Sequence, residues 1–519
     1  MDITSKSLSV QQWIELIAEC EAGKCRDPLI NLPSGADRTY DAIFVGGGPG
    51  SRFGGAQVQA MGGLSLVIER WPFLGGSCPH NACVPHHIFS DCAAEFDLLR
   101  WIDGRLGFPE FRNGRGRIHE IVKMFTHGRG SAHAFMNWQT KEQLRYDFIL
   151  NASATVIDPH TVEVAGKRYR TRAIVLGTGS RTNIPDIPGT NLHGVFTHES
   201  LVEELDYEPN NIVVVGGSKT GVEYGSFFRA AGANVTILAR SEVLRFEPVA
   251  LDEEARDYVL DAMQTRGLVV REHAAVTEIV GTDRVEAVKY RTSSGEEQTI
   301  PADFVLLATG MRPNAEPFAS TLGLKLGKRG EVVVDSRMRT SVPDVYATGD
   351  LIGHPMEMWK ARKSGVNAAK NIMGEEEAHL DVRNYPDFLH TTYEVSWVGL
   401  TEKQAREQYS NVIVIKMPPG NPPQWDIPLP LADRTMLYGF LDPKRSGFQK
   451  CLIDGDSRRM LGFCHVGYGC KDSFQYLDYL LKQGVTIDDM AGMNELFLNP
   501  GHFIQLCRLR AGMKKLEDL

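Results

Sequence analysis

Cysteine is scarce in this 519-residue chain: nine residues, an odd number, too few and too scattered for a secreted disulfide framework. Cys92, Cys451, Cys464, Cys470 and Cys507 read as ordinary buried or half-buried thiols. Cys20 and Cys25 stand five residues apart without any glycine-rich context and read as coincidence. No apolar run approaches the roughly 18 residues of a membrane span. The amino terminus, MDITSKSLSVQQWIELIAEC, is polar and then amphipathic, unlike a secretory leader. The chain therefore reads as cytoplasmic. A formal charge of −9 with no sustained Lys/Arg stripe argues against nucleic acid as the main partner. Low-complexity sequence is absent too, and the proline-rich PPGNPPQWDIPLPLAD at 418–433 reads as an ordered surface excursion. No residues are assigned to a metal.

What is present is glycine, 51 residues of it, in a chain otherwise close to a globular average with 42% apolar and 23% charged residues. The length implies about three or four domains. DAIFVGGGPG at 41–50 is an apolar strand running into glycines, and NIVVVGGSKTG at 211–221 repeats it. Two dinucleotide folds follow from that repeat. AIVLGTGSRTNIPDIPG (173–189) and FVLLATGMRPN (304–314) read as the crossings by which the second fold is inserted in the first, and SVPDVYATGD (341–350) returns a strand to an Asp. From about residue 386 strands and helices mix, with GLTEKQAREQY offering a Thr-capped helix. The expected units are an extension (1–40), a first nucleotide unit (41–190 and 316–385), a second (191–315) and a C-terminal region (386–519).

In the first turn Gly46 permits the tight strand-to-helix bend, and Gly48 and Gly50 let a pyrophosphate approach the backbone at a helix N-terminus. Glu69, 23 residues beyond Gly46, is placed to accept ribose hydroxyls. The sixth motif position is Ser51 instead of glycine, which predicts a helix set slightly further from its strand. The second turn carries Gly216, Gly217, Ser218 and Gly221, but its next strand ends without an acid. Arg240 and Arg245 occupy that region, a pattern that favours the 2′-phosphate of NADPH.

The segment GGSCPHNACVPHH (75–87) then places Cys78 and Cys83 beside the first turn, and FLNPGH (497–502) lies near the carboxyl end. Together with VGGGPG, GSKTGVEYG, ATGMRP, YATGD and VGLTE in that order, these motifs resemble the pyridine nucleotide-disulfide oxidoreductases from Asp41 to about Arg510. The resemblance implies an α/β fold with two Rossmann-like domains, one inserted in the other, holding FAD and NADPH. It also implies a C-terminal α+β domain that makes a homodimer with shared active sites. It puts Asp350 on the flavin's ribityl-phosphate portion, Cys83 against the flavin, and Cys78 toward substrate.

Two departures stand out. Where the family pairs a Lys with the Glu near the flavin, this chain has His86 with Glu223. Where the family has a proton-carrying His and its orienting Glu, this chain has Phe497 and His502. Removing the proton carrier makes sense if a carbanion must survive to meet another electrophile. These features are similar to the branch of the family that cleaves the thioether of 2-ketopropyl-coenzyme M and adds CO2 to the released enolacetone. On that likeness Arg52 and Arg362 are candidates for the sulfonate, with Met358 on the same helical face four residues before Arg362, Met136 for an apolar wall, His133 and Gln505 for a carboxylate product, and His80 with His502 for a water or enolate oxygen. Either arginine also fits a surface ion pair. An ordinary disulfide or mercuric-type reductase, or a redox flavoprotein without turnover, are the competing readings.

Overall fold

The computed structural model describes residues 1–35, 37–102, 116–245, 249–375, 379–382, 384–417, 447–467, 470–494 and 500–513. The proline-rich stretch at 418–433 and Phe497 lie outside the described residues.

Continuous apolar strands need cover on both faces, and parallel pairing with helical crossovers supplies it. Strands Asp147–Leu150, Ser65–Ile68, Thr39–Val45, Lys167–Leu176 and Val345–Ala347 accordingly pair in parallel as the first sheet. Ala154–Asp158 and Thr161–Val164 extend it antiparallel from Lys167–Leu176. Helix α1 (Val10–Glu21) opens the chain with a reciprocal cap between Ser9 and Gln12 and buries Trp13, Ile17 and Cys20. The following strand Leu29–Asn31 pairs antiparallel with Asp147–Leu150, so the amino-terminal extension forms the edge of the first sheet. Past α1, Gly23 turns the chain at φ 70°. The turn brings Cys25 against Cys20, whose thiol is pushed up to about 12 by burial and by that neighbour. The five-residue spacing read as coincidence is thus a real thiol contact.

Helix α2 (Pro49–Ala60) leaves the first glycine turn, and α3 (Ser77–His80) and α4 (Cys83–Ile102) carry the cysteines. Helix α5 (Ile118–Gln139) lies along α1. After α6 (His198–Glu204) the second sheet is all parallel, in the order Val269–Arg271, Asn234–Leu238, Asn211–Val215, Phe304–Leu307, Val195–Phe196. Helices α7 (Lys219–Ala230) and α8 (Glu253–Thr265) pack with it, and a three-stranded antiparallel meander spans Ala275–Pro301. The crossing strands Ser180–Thr182 and Met311–Pro313 pair antiparallel, so the chain enters and leaves this unit side by side. Helix α9 (Glu316–Leu322) and α10 (Met358–Ile372) return to the first unit. The C-terminal sheet is antiparallel, ordered Asp387–His390, Glu394–Gly399, Met460–Val466, Phe448–Asp454, Val412–Met417, and includes the Thr401-capped α11 (Glu402–Gln408) in its connections. The last helix, Pro500–Gly512, packs Phe503 against Phe463. Among the described residues no helix is long and apolar enough to cross a membrane.

Helices α2 and α10 touch backbone to backbone. A Cβ on Gly365 would sit 1.9 Å from the Gly50 carbonyl oxygen, and one on Gly54 would sit 2.5 Å from the Phe44 ring. Ser51, buried at 1% exposure, therefore does not hold the helix off its strand as its motif position predicted. Close packing has moved one turn on, to Gly54 and to Gly55, whose Cβ would lie 3.0 Å from Val67. Gly365→Ala should force α2 and α10 apart at a cost of about 1–3 kcal/mol, as overpacked cores do, and release flavin. Thermal unfolding and flavin retention check this; unchanged values for both would contradict the packing argument.

Candidate functional site

The cysteine loop is built directly on the first glycine turn. Gly75 donates its N–H to the Gly47 carbonyl at 2.9 Å, and a Cβ on Gly76 would lie 2.9 Å from Gly48 Cα. Gly75 and Gly76 adopt φ 117° and 66°, the freedom this reversal requires. Beyond it Cys78 lies in the first turn of α3 and Cys83 begins α4. Both thiols are free and in mutual hydrogen-bond contact. Cys83 donates to Cys78, which lowers the Cys78 pKa despite burial; the same bond, with burial, raises Cys83 well above an ordinary thiol. Cys78 is thus the more acidic thiol of the pair, and Cys83 holds the proton between them.

The surroundings fit FAD. Gly46 has φ 105° and a Cβ there would meet the Gly177 oxygen at 2.4 Å, whereas Gly48 faces open space and caps α2 without a side-chain acceptor. Glu69 accepts N–H bonds from Gly47 (2.5 Å) and Trp71 (3.0 Å), and burial raises its pKa. The buried hydroxyls of Ser51 and Thr348 have no protein partner. Asp350 accepts from Ser180 Oγ at 2.9 Å, its pKa raised by burial. Nearby, burial depresses the Lys360 ammonium to about 8 while it donates to the Gly353 carbonyl. In the second turn a Cβ on Gly216 or Gly221 would strike backbone oxygen at 2.1 Å, and Ser218 caps α7 with no side-chain bond, leaving the amides for a phosphate. Arg240 is exposed at the strand end. Arg245 is engaged with Glu242 at 3.2 Å and Glu253 at 3.4 Å.

Glu223, on α7, is 4% exposed and pairs with His86 Nε2 at 3.0 Å. Its other oxygen accepts the His390 N–H at 2.7 Å. Burial raises its pKa, but His86, Lys219 and that amide outweigh it, so the carboxylate stays ionised. His87 Nδ1 and His390 Nδ1 share a proton at 2.9 Å, and His390 Nε2 reaches Asp91 and Glu394 at 3.3 Å each. This histidine array extends the one His86 predicted.

The predicted substrate residues fall into two groups. Arg52 and Arg362 lie over the same ring, Phe53, at 5.9 and 5.5 Å. Arg52 also donates to Thr140 Oγ1 at 3.2 Å and Gln139 Oε1 at 2.6 Å, and burial lowers its pKa. Met358, at the start of α10, is 44% exposed. On the other side His133 stacks on Phe73 (3.8 Å, 4°) and lies 5.2 Å from the His80 ring. Met136 Sδ fills the space beside Gly75. Gln505 stands apart from these: its Nε2 donates to the Met490 and Met493 carbonyls at 2.7 and 3.4 Å. His502 belongs to the last helix, and its side chain is not among those described. Sequence reasoning missed Arg129 and Glu203. Arg129 donates to both Glu203 oxygens at 2.5 and 2.8 Å and to the His80 carbonyl at 3.1 Å. The signal was there in part: Arg129, His133 and Met136 recur at helical spacing along one face of α5.

Residues 40–365 match the family described as pyridine nucleotide-disulphide oxidoreductase, and residues 385–502 match its dimerisation domain, which supports a homodimer. A mercuric reductase of Staphylococcus aureus is 25% identical over 91% of this chain and 82% of its own length. A dihydrolipoyl dehydrogenase of Mycoplasma pneumoniae is 26% identical, covering 87% and 94% of the two chains. A soluble pyridine nucleotide transhydrogenase of Vibrio atlanticus is 30% identical over 70% and 77%. The solved HOCl-induced flavoprotein disulfide reductase RclA from Escherichia coli superposes with a TM-score of 0.74 at 21% identity, over 90% of this chain and 98% of that one, a likeness of fold. With its cysteine pair set on a glycine turn that fits FAD and a second turn that fits NAD(P)H, this chain belongs to the pyridine nucleotide-disulfide oxidoreductase family of flavoenzymes.

Proposed function

We propose that this flavin disulfide oxidoreductase uses its dithiol to cleave a thioether and carboxylate the fragment, the reaction of NADPH:2-ketopropyl-coenzyme M oxidoreductase/carboxylase. One observation carries the reading: the two imidazoles described beside the Cys78 loop, His80 and His133, are buried and held neutral. Burial, reinforced by the Arg129 charge, holds His80 down to about 3. Burial, His80 and Arg129 do the same for His133, also about 3. Neutral imidazoles are poor acids. Phe497 adds none at the position where the family's proton carrier stands.

FAD held at Gly46, Gly48, Glu69 and Asp350 would supply, from NADPH, the electron pair that opens the Cys78–Cys83 disulfide to the dithiol. The Cys78 thiolate then attacks the thioether sulfur, forming a mixed disulfide with coenzyme M, and the C–S electron pair leaves on enolacetone. That carbanion adds to CO2 and gives acetoacetate. Cys83 then attacks Cys78 of the mixed disulfide and closes the Cys78–Cys83 bond, and its proton leaves with coenzyme M, released as the thiol. Arg52 and Arg362, flanking Phe53, supply cationic charge for the sulfonate. Met136 offers an apolar wall, Met358 lies one turn before Arg362 on α10, His80 with His502 would hold a water or the enolate oxygen, and His133 and Gln505 are the candidates for the carboxylate. Arg240, which is exposed, and Arg245 favour NADPH over NADH.

A second reading, an NADPH-dependent disulfide or mercuric-type reductase, is favoured by the relatives, mercuric reductase among them. Product analysis with NADPH, the thioether and bicarbonate separates the two. Acetoacetate supports the first; no acetoacetate together with rapid turnover of a simple disulfide or Hg²⁺ supports the second. Phe497→His should shift product from acetoacetate toward acetone, since a placed general acid contributes about 10²–10⁴-fold; an unchanged ratio rules out proton exclusion as the role of Phe497. The two imidazoles also make a pH prediction. Their folded values of about 3 lie below the unfolded value of about 6.5. The unfolded chain therefore binds more protons in that window, and stability present above pH 6.5 is lost as pH falls toward 3. Urea unfolding from pH 7.5 to 4.5 should show this slope, and His133→Gln should flatten it.

A further inference from the structure

Three side chains of metal-ligand type converge beside the cysteine loop from separate segments. Glu21 ends α1, His80 ends α3 two residues past Cys78, and His133 lies within α5. One donor atom from each lies within 4.8 Å of the other two. His133 is fully buried with neither ring nitrogen bonded, and His80 is 8% exposed with its Nδ1 unbonded. Buried polar atoms left so cost about 1–3 kcal/mol each unless something fills the space between them. Stacking on Phe73 fixes the His133 ring, and Trp71 and Phe73 hold the His80 ring with centroids at 4.8 Å. Both rings are held neutral by burial, the form that ligates metals.

The charge around the three also favours a cation. Glu203 lies 3.2 Å from His80 Nε2, and among the described residues the guanidinium on this group is that of Arg129, already bound to both Glu203 oxygens. Two carboxylates and one guanidinium leave one net negative charge. Desolvation of its carboxyl raises the Glu21 pKa, Arg129 opposes this and Glu203 adds to it.

We propose that Glu21, His80 and His133 form a site for a borderline divalent transition-metal ion, with zinc as its representative. Two imidazoles and one carboxylate suit such an ion and leave a position for water. Tetrahedral bonds of about 2.0–2.1 Å require donors roughly 3.4 Å apart, so Glu21, the exposed member, moves inward to close the set. The bound ion ties the amino-terminal helix to the loop carrying Cys78 and takes His80 out of play. The inference concerns ion binding by these three donors and stands independently of the thioether reading.

The test uses chelator-stripped FAD holoenzyme with the Cys78–Cys83 disulfide closed, so that neither thiol competes. Calorimetric titration with ZnCl2 should show one ion per chain. Glu21→Gln and His133→Phe should each weaken binding about tenfold or more, with flavin retention confirming that both variants fold. Co²⁺ in place of Zn²⁺ should give the absorption of a nitrogen and oxygen set. Absence of binding, equal affinity in both variants, or a Co²⁺–thiolate band assigning the ion to Cys20 and Cys25 would overturn the proposal.

Discussion

Everything at the reactive centre hangs on a contact from which side chains are excluded. Gly50 and Gly365 bring α2 and α10 to backbone distance, with Gly54 lying over the Phe44 ring. That approach sets Phe53 between Arg52 and Arg362, because the two arginines sit on the two helices that meet there. The same turn that begins α2 carries the cysteine loop on its back through Gly47 and Gly75. Nucleotide turn, dithiol and cation pair are thus one rigid assembly. Loss of any of these glycines would be felt at all three.

The second constraint is electrostatic. A buried carboxylate such as Glu223 needs a partner, and removing one side of such a pair is costly. Here the partner is His86, an imidazole. The imidazole is a shorter, planar partner than a lysine ammonium, and it holds the buried carboxylate one helical turn from Cys83. The neighbouring His87 and His390 join this pair to solvent through Asp91, which is 70% exposed.

Much of this was legible in the sequence, and the boundary has a physical reason. Glycine turns, the acid after the first strand and the cysteine spacing are local, and local geometry fixes what they do. The insertion of one nucleotide unit in the other was legible because the strand-glycine pattern recurs. Contacts between helices were not. Glu21 meets His133 only because α1 lies along α5, and nothing in either segment announces that alignment. Cys20 and Cys25 looked incidental because the turn at Gly23 that joins them is a tertiary detail of one helix end. Ser51 misled because the sixth motif position governs packing only where no later glycine takes over, as Gly54 does. Phe497 remains a reading from sequence and family position.

The pairing of Ser180–Thr182 with Met311–Pro313 has a further consequence. The ends of a segment spanning 129 positions, from Thr182 to Met311, are held together as two neighbouring strands. To the first sheet that whole segment is a closed loop, and closure entropy rises only by about 0.6 kcal/mol for each doubling of loop length. Insertions within that segment therefore add little to the cost of closing it, whereas exchange of the whole unit would remove Glu203 and Glu223 from Arg129 and His86 of the flavin-binding unit and be felt beside the dithiol.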